Sequence, residues 1–129
     1  MLVDGNSGIR LGLAQRLQQM PGIAIVGETG DPGEALTMVR ARRPDVVVLD
    51  LRGIAPDPHE FLHRLAATAS EAQVMVLTAY ITERERAGLT QAGVRAVLLK
   101  EIDSDALVRA IRSVAGREGR KSARDGSSG

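Results

Sequence analysis

Four polar residues that could do chemistry each follow a short apolar run. They are Asp4, Asp50, Thr78 and Lys100. Two carboxylates that lie close together repel each other unless a cation lies between them, and their oxygens are ligands that Mg²⁺ prefers. A carboxylate beside a metal ion can attack phosphorus, while a hydroxyl and an ammonium group can donate to phosphoryl oxygens. Each residue type alone is common at a turn or in a strand, but together the four indicate phosphoryl chemistry.

A second pattern with chemical meaning is the segment from His59 to His63, which has the H-E-x-x-H spacing of zinc hydrolases. On a helix this spacing puts two imidazoles one turn apart, with a glutamate as general base and Glu83 as a third ligand. The opposing interpretation is a helix whose buried face is Phe61, Leu62 and Leu65 and whose histidines face solvent. A chain this short also has little room for a protease cleft, so the zinc hydrolase is a remote alternative.

The loop from Asp4 to Gly8 consists mostly of small residues and joins a predicted strand to a predicted helix. Such loops can hold a phosphate group on their backbone amides. The simpler interpretation is a turn in which Asn6 or Ser7 caps the helix. A flavin would also need flanking aromatic side chains, and the sequence offers Tyr80 alone near this edge. We therefore favour the turn.

Short β-branched runs recur along the chain at a regular interval and precede these polar residues. The runs are Met1–Val3, Ile23–Val26, Val46–Leu49, Val74–Leu77 and Val94–Leu99. They are continuous rather than alternating, which is typical of strands buried on both faces of a parallel sheet. Helical spacing between them, as in Ile9, Leu13 and Leu17, predicts five helices that alternate with five strands. The fold class is therefore α/β, a doubly wound five-stranded parallel sheet with helices on both faces.

The ends of the predicted elements indicate where a site would lie and which element could move. In a doubly wound sheet, ligands bind beyond the carboxyl ends of the strands, so the four polar residues should meet at one edge. Helix starts are predicted at Asp31, at Thr82, and at Asp103 or Ser104. The fourth helix, residues 82–92, has the weakest apolar face, which makes it a candidate moving part or interface.

Composition and charge exclude several classes of function. The chain has 129 residues, no cysteine, one Phe, one Tyr and no Trp, so thiolate chemistry is excluded and base-stacking side chains are scarce. The tail from Gly116 holds four basic and two acidic residues, which leaves 13 basic and 14 acidic residues in the body. We therefore expect no direct nucleic-acid binding by the body. Without a long apolar run or a signal peptide, we also expect a soluble cytoplasmic protein that does not contact membranes.

The polar residues and their flanking segments together resemble the receiver domain of bacterial two-component response regulators. The similar segments are Leu2-Val3-Asp4, Arg10 with Gly12-Leu13, residues 44–52, residues 76–80, Gln91-Ala92-Gly93 and Leu98-Leu99-Lys100. The resemblance implies a flavodoxin-like receiver fold over residues 1–116. Leu51 and Arg52 after the aspartate, and Glu101 after the lysine, resemble receivers that precede a LuxR-type DNA-binding domain. Residues 117–129 lack an apolar period and are predicted to be a disordered linker or the remnant of an expression tag.

The resemblance also implies roles for individual residues. Asp50 would accept a phosphoryl group from a histidine kinase or a small phosphodonor, which makes the domain a signalling module rather than an enzyme. Mg²⁺ would bind Asp4, Asp50 and the backbone carbonyl of Arg52, and Thr78 and Lys100 would hold the phosphoryl oxygens. The fourth helix, fifth strand and fifth helix would form the surface for partners, including a second copy of the chain. Such a domain would belong to a phosphorelay that regulates transcription.

Three departures from the receiver pattern bear on how well such a site would work. Receivers carry two adjacent acids after the first strand, whereas Gly5 stands at the second position here, so we expect weak or absent Mg²⁺ binding and inefficient phosphorylation. Val97 replaces the aromatic residue that normally couples the site to the partner surface. Pro56 and Pro58 stiffen the loop after the phosphoacceptor. The alternative is a pseudoreceiver that binds a protein or ligand independently of phosphorylation.

Overall fold

Strands and helices alternate along the chain in the computed structural model, which describes residues 1–54, 57–69 and 71–127. The strands are β1 (Leu2–Val3), β2 (Glu28–Thr29), β3 (Val46–Leu49), β4 (Gln73–Thr78) and β5 (Ala96–Leu99). The helices are α1 (Ser7–Gln18), α2 (Pro32–Arg42), α3 (Pro58–Thr68), α4 (Glu83–Gln91) and α5 (Ser104–Ser127). A 3₁₀ turn at Leu51–Gly53 follows β3. The predicted alternation of five strands with five helices is confirmed.

The five strands form one parallel sheet in the order β2-β1-β3-β4-β5. The chain therefore builds the sheet outward from β1 in one direction and from β3 in the other. Ligands of doubly wound sheets bind where the strand order reverses, beyond the carboxyl ends of the strands. In this sheet that point lies between β1 and β3, so Asp4 and Asp50 flank it.

The central strands are buried on both faces, which explains why β1 and β3 are continuous apolar runs. Successive strand side chains point to opposite faces, so Val47 and Leu49 join one core while Val46 and Val48 join the other. The first core is completed by α2, α3 and α4 through Ala35, Val39, Phe61, Leu62, Leu65 and Leu89. The second core is completed by α1 and α5 through Leu13, Ala14, Leu17, Leu107, Val108, Ile111 and Val114. This two-sided burial confirms the predicted fold class.

The helix starts follow the capping residues that the sequence predicts. The side chain of Asn6 accepts a hydrogen bond from the backbone amide of Ile9 at 3.0 Å, so the loop after β1 is a capped turn. Asp31, Thr82 and Asp103 cap α2, α4 and α5 in the same way. Each cap satisfies an amide that the first helical turn leaves without an intrahelical partner.

The second strand lies further along the chain than the sequence predicts. Ile23–Val26 is not a strand, and β2 is Glu28–Thr29 instead. The register pairs Leu2 with Glu28 and Val3 with Thr29, so the pairing with β1 lies beyond the apolar run. The apolar run was therefore a wrong strand prediction, although Ile23 and Ile25 still pack against the second core.

Helix α5 is longer than the sequence predicts. Its apolar period ends near Gly116, yet the helix continues to Ser127. Residues 117–127 include three Arg, one Lys and one Ala, which favour helix, but also two Gly, which do not. The boundary between a domain and a tail at 116 stays a prediction. Ser128 and Gly129, part of the tag remnant that we inferred, lie outside the described residues.

None of the described helices, α5 included, combines the length and apolar character that a membrane span requires.

Helix α4 is held to the rest of the fold by few contacts. Leu89 is its one buried residue. Arg86 adds a hydrogen bond from Nη1 to the carbonyl of Val97 on β5, at 2.9 Å. Elements with little buried apolar area open at low free-energy cost. The structure thus agrees with the weak apolar face that the sequence indicates.

Candidate functional site

The four polar residues that the sequence singles out all lie at the carboxyl edge of the sheet. Asp4 follows β1, Asp50 follows β3 and Lys100 follows β5, while Thr78 is the last residue of β4. The side chains of Asp4, Asp50 and Thr78 are buried. Buried polar groups are costly unless they are paired, so their partners define the site.

Lys100 joins two carboxylates that come from distant parts of the chain. Its Nζ lies 2.8 Å from Oδ2 of Asp4 and 2.6 Å from Oδ2 of Asp50. The three side chains are 18%, 10% and 9% exposed, respectively. The ammonium group therefore supplies the cation that two adjacent carboxylates require.

The ionisation of Lys100 follows from these contacts. Burial disfavours the charged ammonium group, but the hydrogen bonds and charges of Asp4 and Asp50 outweigh burial. The net effect raises the pKa of Lys100 above its ordinary value. The site is thus an ion triad in which one ammonium group lies between two carboxylates.

The second oxygen of each carboxylate is also occupied, by a backbone amide close in sequence. Oδ1 of Asp4 accepts from the amide of Asn6 at 2.8 Å. Oδ1 of Asp50 accepts from the amide of Arg52 at 2.9 Å, which caps the 3₁₀ turn. All four carboxylate oxygens therefore have donors from the protein itself.

Thr78 lies at the neighbouring strand end, but its hydroxyl is engaged away from Lys100. The hydroxyl oxygen accepts from Nε of Arg52 at 3.1 Å. The same hydroxyl donates to the backbone carbonyl of Tyr80 at 3.3 Å. The structure therefore brings Asp4, Asp50 and Lys100 into direct contact and leaves Thr78 beside them in a separate hydrogen-bond set.

The side chain of Arg52 is part of the site, whereas the resemblance implies a role only for its backbone carbonyl. Its Nη2 donates to the carbonyl of Tyr80 at 2.6 Å, and its guanidinium lies 3.6 Å from the centre of the Tyr80 ring. The register of β3 and β4 puts Leu51 level with Thr78 when it is continued past Leu49 and Val76. The sequence signal for this pair is a cation two residues after Asp50 together with an aromatic residue two residues after Thr78.

The oxygen atoms of the site are ligands that suit a Mg²⁺ ion, but the net negative charge of the site is low for such an ion. Asp4, Asp50 and the carbonyl of Arg52 supply hard oxygen ligands, and Mg²⁺ often binds one or two carboxylates and keeps several waters. Gly5 supplies no third carboxylate, however, and Lys100 already neutralises half of the negative charge. In the described part of the chain, no cluster of three or more His, Asp or Glu side chains could hold a metal ion. A Mg²⁺ ion here would compete with an ammonium group for the same oxygens.

The H-E-x-x-H segment lies on α3, and His59 lines the cavity that Arg52 and Tyr80 also line. His59, Glu60 and His63 are all exposed, while Phe61 and Leu62 face the first core. This is the arrangement that the opposing interpretation predicts for an ordinary amphipathic helix. The loop before α3 includes Pro56, which lies outside the described residues, and Pro58, which is the first residue of the helix.

Val97 occupies a buried position on β5. It packs in the first core together with Val76 and Leu89. A side chain of this size has no ring to move between an exposed and a buried position. The structure therefore offers no aromatic group at the place where receivers normally have one.

Comparison with known proteins shows which family the chain belongs to. Residues 1–112 match the family described as the response regulator receiver domain. The chain is 35% identical over 119 residues to the DNA-binding transcriptional activator DevR/DosR of Mycobacterium tuberculosis, covering 90% of this chain and 54% of that protein. It is 33% identical over 121 residues to the nitrate/nitrite response regulator protein NarP of Escherichia coli, covering 94% of this chain and 55% of that protein. The chain thus spans about half the length of these relatives.

A solved structure extends the similarity to three dimensions. A two-component response regulator of the LuxR family from Aurantimonas sp. SI85-9A1 superposes with a TM-score of 0.82. It is 29% identical and the match covers 90% of this chain and 83% of that one. The family match, the relatives above 30% identity and this superposition show that the chain belongs to the response regulator receiver domain family and is similar to LuxR-type regulators.

Proposed function

We propose that this receiver domain accepts a phosphoryl group on Asp50 and passes the signal to a protein-interaction surface. The observation that carries the proposal is the contact of 2.6 Å between Lys100 Nζ and Asp50 Oδ2 in a buried pocket at the carboxyl edge of the sheet. A carboxylate held this way has a cation beside it that can neutralise incoming phosphoryl oxygens. Receiver domains of response regulators interact with histidine kinases, which are the phosphodonors that we propose here.

Phosphoryl transfer to Asp50 depends mainly on the positions and charges of the groups around it. An oxygen of Asp50 forms a bond to phosphorus as the bond from phosphorus to the donor breaks, and the donor imidazole or acetate leaves with that electron pair. Lys100 then offsets part of the added charge, which is about −1.5 to −2 for a phosphoryl group near neutral pH. The hydroxyl of Thr78 can donate a hydrogen bond to a phosphoryl oxygen once its hydrogen bond to the carbonyl of Tyr80 is broken.

Receiver domains bind Mg²⁺ at an acidic pocket, where the ion neutralises phosphoryl oxygens. We propose that binding is weak here and uses Asp4, Asp50 and the carbonyl of Arg52. The missing carboxylate at Gly5 removes both a ligand and a charge. Lys100, which lies within 2.8 Å of both carboxylates, is a competing cation. Inefficient phosphorylation follows from the same two causes.

The surface that reads the signal is proposed to be α4, β5 and α5, where a partner or a second copy would dock. The thin attachment of α4 through Leu89 supports this choice. Tyr80, at the start of this surface, is 63% exposed. Since the relatives are transcriptional regulators about twice as long, we propose that the signal reaches a transcription-regulating segment in the whole protein.

A second candidate function is a pseudoreceiver that binds a partner or ligand without phosphorylation. The observation that favours it is the saturation of the acidic pocket. All four carboxylate oxygens of Asp4 and Asp50 already have protein donors, so the pocket is satisfied without a metal ion or a phosphoryl group. Such a pocket would stabilise one fixed arrangement of the edge.

The deciding experiment treats the protein with acetyl phosphate and MgCl₂ and follows the intact mass. We expect a slow gain of one phosphoryl group, which Asp50→Asn abolishes and the matched change Asp45→Asn leaves intact, because Asp45 is exposed at the opposite end of β3. Gly5→Asp should accelerate the gain and raise the apparent Mg²⁺ affinity by about tenfold or more, since it adds a carboxylate ligand. No mass gain by either wild type or Gly5→Asp would favour the pseudoreceiver.

A further inference from the structure

The guanidinium of Arg52 connects the turn after the phosphoacceptor to the end of β4. Nε donates to the hydroxyl of Thr78 at 3.1 Å, and Nη2 donates to the carbonyl of Tyr80 at 2.6 Å. The same group stacks on the Tyr80 ring with 3.6 Å to its centre. A planar guanidinium can make these contacts together because its donors form a rigid fork. One side chain thus ties the 3₁₀ turn to the β4–α4 loop.

These contacts use up the hydrogen-bonding capacity that Thr78 would need for a phosphoryl oxygen. A threonine hydroxyl has one proton to donate. In this structure that proton goes to the carbonyl of Tyr80, and Arg52 donates to the hydroxyl oxygen. Thr78 must therefore leave the Tyr80 carbonyl before it can donate to a phosphoryl group on Asp50. While Arg52 holds both the hydroxyl and the carbonyl in place, that exchange is opposed.

The guanidinium of Arg52 also borders open space into which it can move when its contacts with Thr78 and Tyr80 break. A cavity of about 620 Å³ lies next to it, lined in part by Arg52, Thr78, Tyr80 and Glu85. The Arg52 side chain is 36% exposed, and Glu85 Oε2 lies 3.7 Å from Nη2 as a second acceptor. A partly exposed ion pair at this distance is weak, so Glu85 guides the guanidinium without fixing it.

We propose that the Arg52 side chain is a latch that holds Thr78 and the β4–α4 loop in the unphosphorylated arrangement, and that its release is a step of activation. The inference rests on the proposed phosphorylation of Asp50. Arg52 acts as a positioning residue, because its side chain works through Thr78 and Tyr80. Removing the latch makes the activated arrangement easier to reach and leaves the acidic pocket of Asp4, Asp50 and Lys100 intact.

The first arm of the test reads the resting protein. Tyr80 is the single tyrosine and the chain has no tryptophan, so intrinsic fluorescence reports on the ring that Arg52 stacks against. We expect Arg52→Met to change the tyrosine emission and to speed amide hydrogen exchange in residues 78–85. Arg84→Met is the matched control, because Arg84 lines the same cavity and has no charged or hydrogen-bonded partner among the described residues. Equal spectra and exchange rates in the two variants would overturn the latch.

The second arm titrates beryllofluoride, a phosphoryl mimic, in the presence of MgCl₂ and follows the same emission and the amide chemical shifts of α4. We expect Arg52→Met to reach half-saturation at about a tenfold lower beryllofluoride concentration than the wild type, since hydrogen bonds from a charged donor are lost from the resting state alone. Arg52→Lys should fall between the two, because an ammonium group can hold one of the two acceptors but not the fork.

The outcomes separate this inference from the function beneath it. If beryllofluoride and acetyl phosphate modify neither wild type nor Arg52→Met, the proposed function fails, and activation by latch release fails with it. If both proteins respond at the same concentration, phosphorylation stands and the latch is overturned. A higher concentration for Arg52→Met would make Arg52 a ligand of the phosphoryl group and would also overturn the latch.

Discussion

The two halves of the acidic edge are built differently. On one side, Asp4, Asp50 and Lys100 form a buried ion triad in which each carboxylate oxygen has a donor. On the other side, Arg52 and Tyr80 are partly or largely exposed beside a cavity of about 620 Å³. The first half is held by buried charges and the second by a few hydrogen bonds at the surface.

This difference indicates that Asp4, Asp50 and Lys100 form the fixed part of the site, whereas Arg52 and Tyr80 belong to the part that can rearrange. Breaking a buried ion pair leaves an uncompensated charge and is strongly unfavourable, whereas exposed pairs contribute little. The triad should therefore remain in place while the loop after β4 and helix α4 rearrange around it. The weak anchoring of α4 through Leu89 points in the same direction.

The largest effect should come from removing the cation of the triad. Lys100→Met leaves Asp4 and Asp50 facing each other without a cation, and we expect it to destabilise the protein by about 3 kcal/mol. Urea unfolding at neutral pH measures the loss. The double variant Lys100→Met with Asp50→Asn should recover part of it, because one of the two repelling charges is gone. A loss below about 0.5 kcal/mol would place the triad with ordinary surface pairs.

The same triad predicts a loss of stability at alkaline pH. The pKa of Lys100 is raised in the folded protein, so its contribution to stability is fully present below the ordinary value of 10.5 and is lost as the pH rises through the raised pKa. Urea unfolding at a series of pH values above about 9 measures this loss. Tyr80→Phe serves as the background, because it removes the single phenol group of the chain. In that background, Lys100→Met should lose the alkaline dependence that Lys100 causes.

A smaller effect is expected from the cap of α4. The hydroxyl of Thr82 accepts from the amide of Glu85 at 3.1 Å and donates to its carboxylate at 3.0 Å. Thr82→Ala should cost about 1 kcal/mol and should speed hydrogen exchange in α4 more than in α5. Thr37→Ala, at an exposed position within α2, is the matched control and should be close to neutral. Equal protection of α4 in both variants would argue against a thinly anchored helix.

The smallest effect should come from the exposed ion pair between Arg52 and Glu85. Glu85→Gln removes the charge that lies 3.7 Å from Arg52 and keeps an oxygen that can accept from Thr82. We expect a change below about 0.5 kcal/mol in urea unfolding. A change above about 1 kcal/mol would mean that this side is held by charge as firmly as the triad.

Much of the site could be predicted from the sequence because local patterns carry it. Continuous apolar runs predict strands buried on both faces, and in a parallel sheet the residues that follow them meet at one edge. Asp4, Asp50 and Lys100 were found in this way. The start of α2 at Asp31 and that of α4 at Thr82 were found from capping residues, whose hydrogen bonds reach only two or three residues along the chain.

Other features were decided only by the tertiary structure, because they depend on contacts between residues far apart in sequence. Lys100 and Asp4 are separated by 96 positions, and nothing local indicates that one ammonium group would saturate both carboxylates. The side chain of Arg52 reaches Thr78 and Tyr80 only because β3 and β4 are adjacent and in register. The second strand is Glu28–Thr29 and not the predicted Ile23–Val26, because pairing with β1, and not local apolarity, defines a strand.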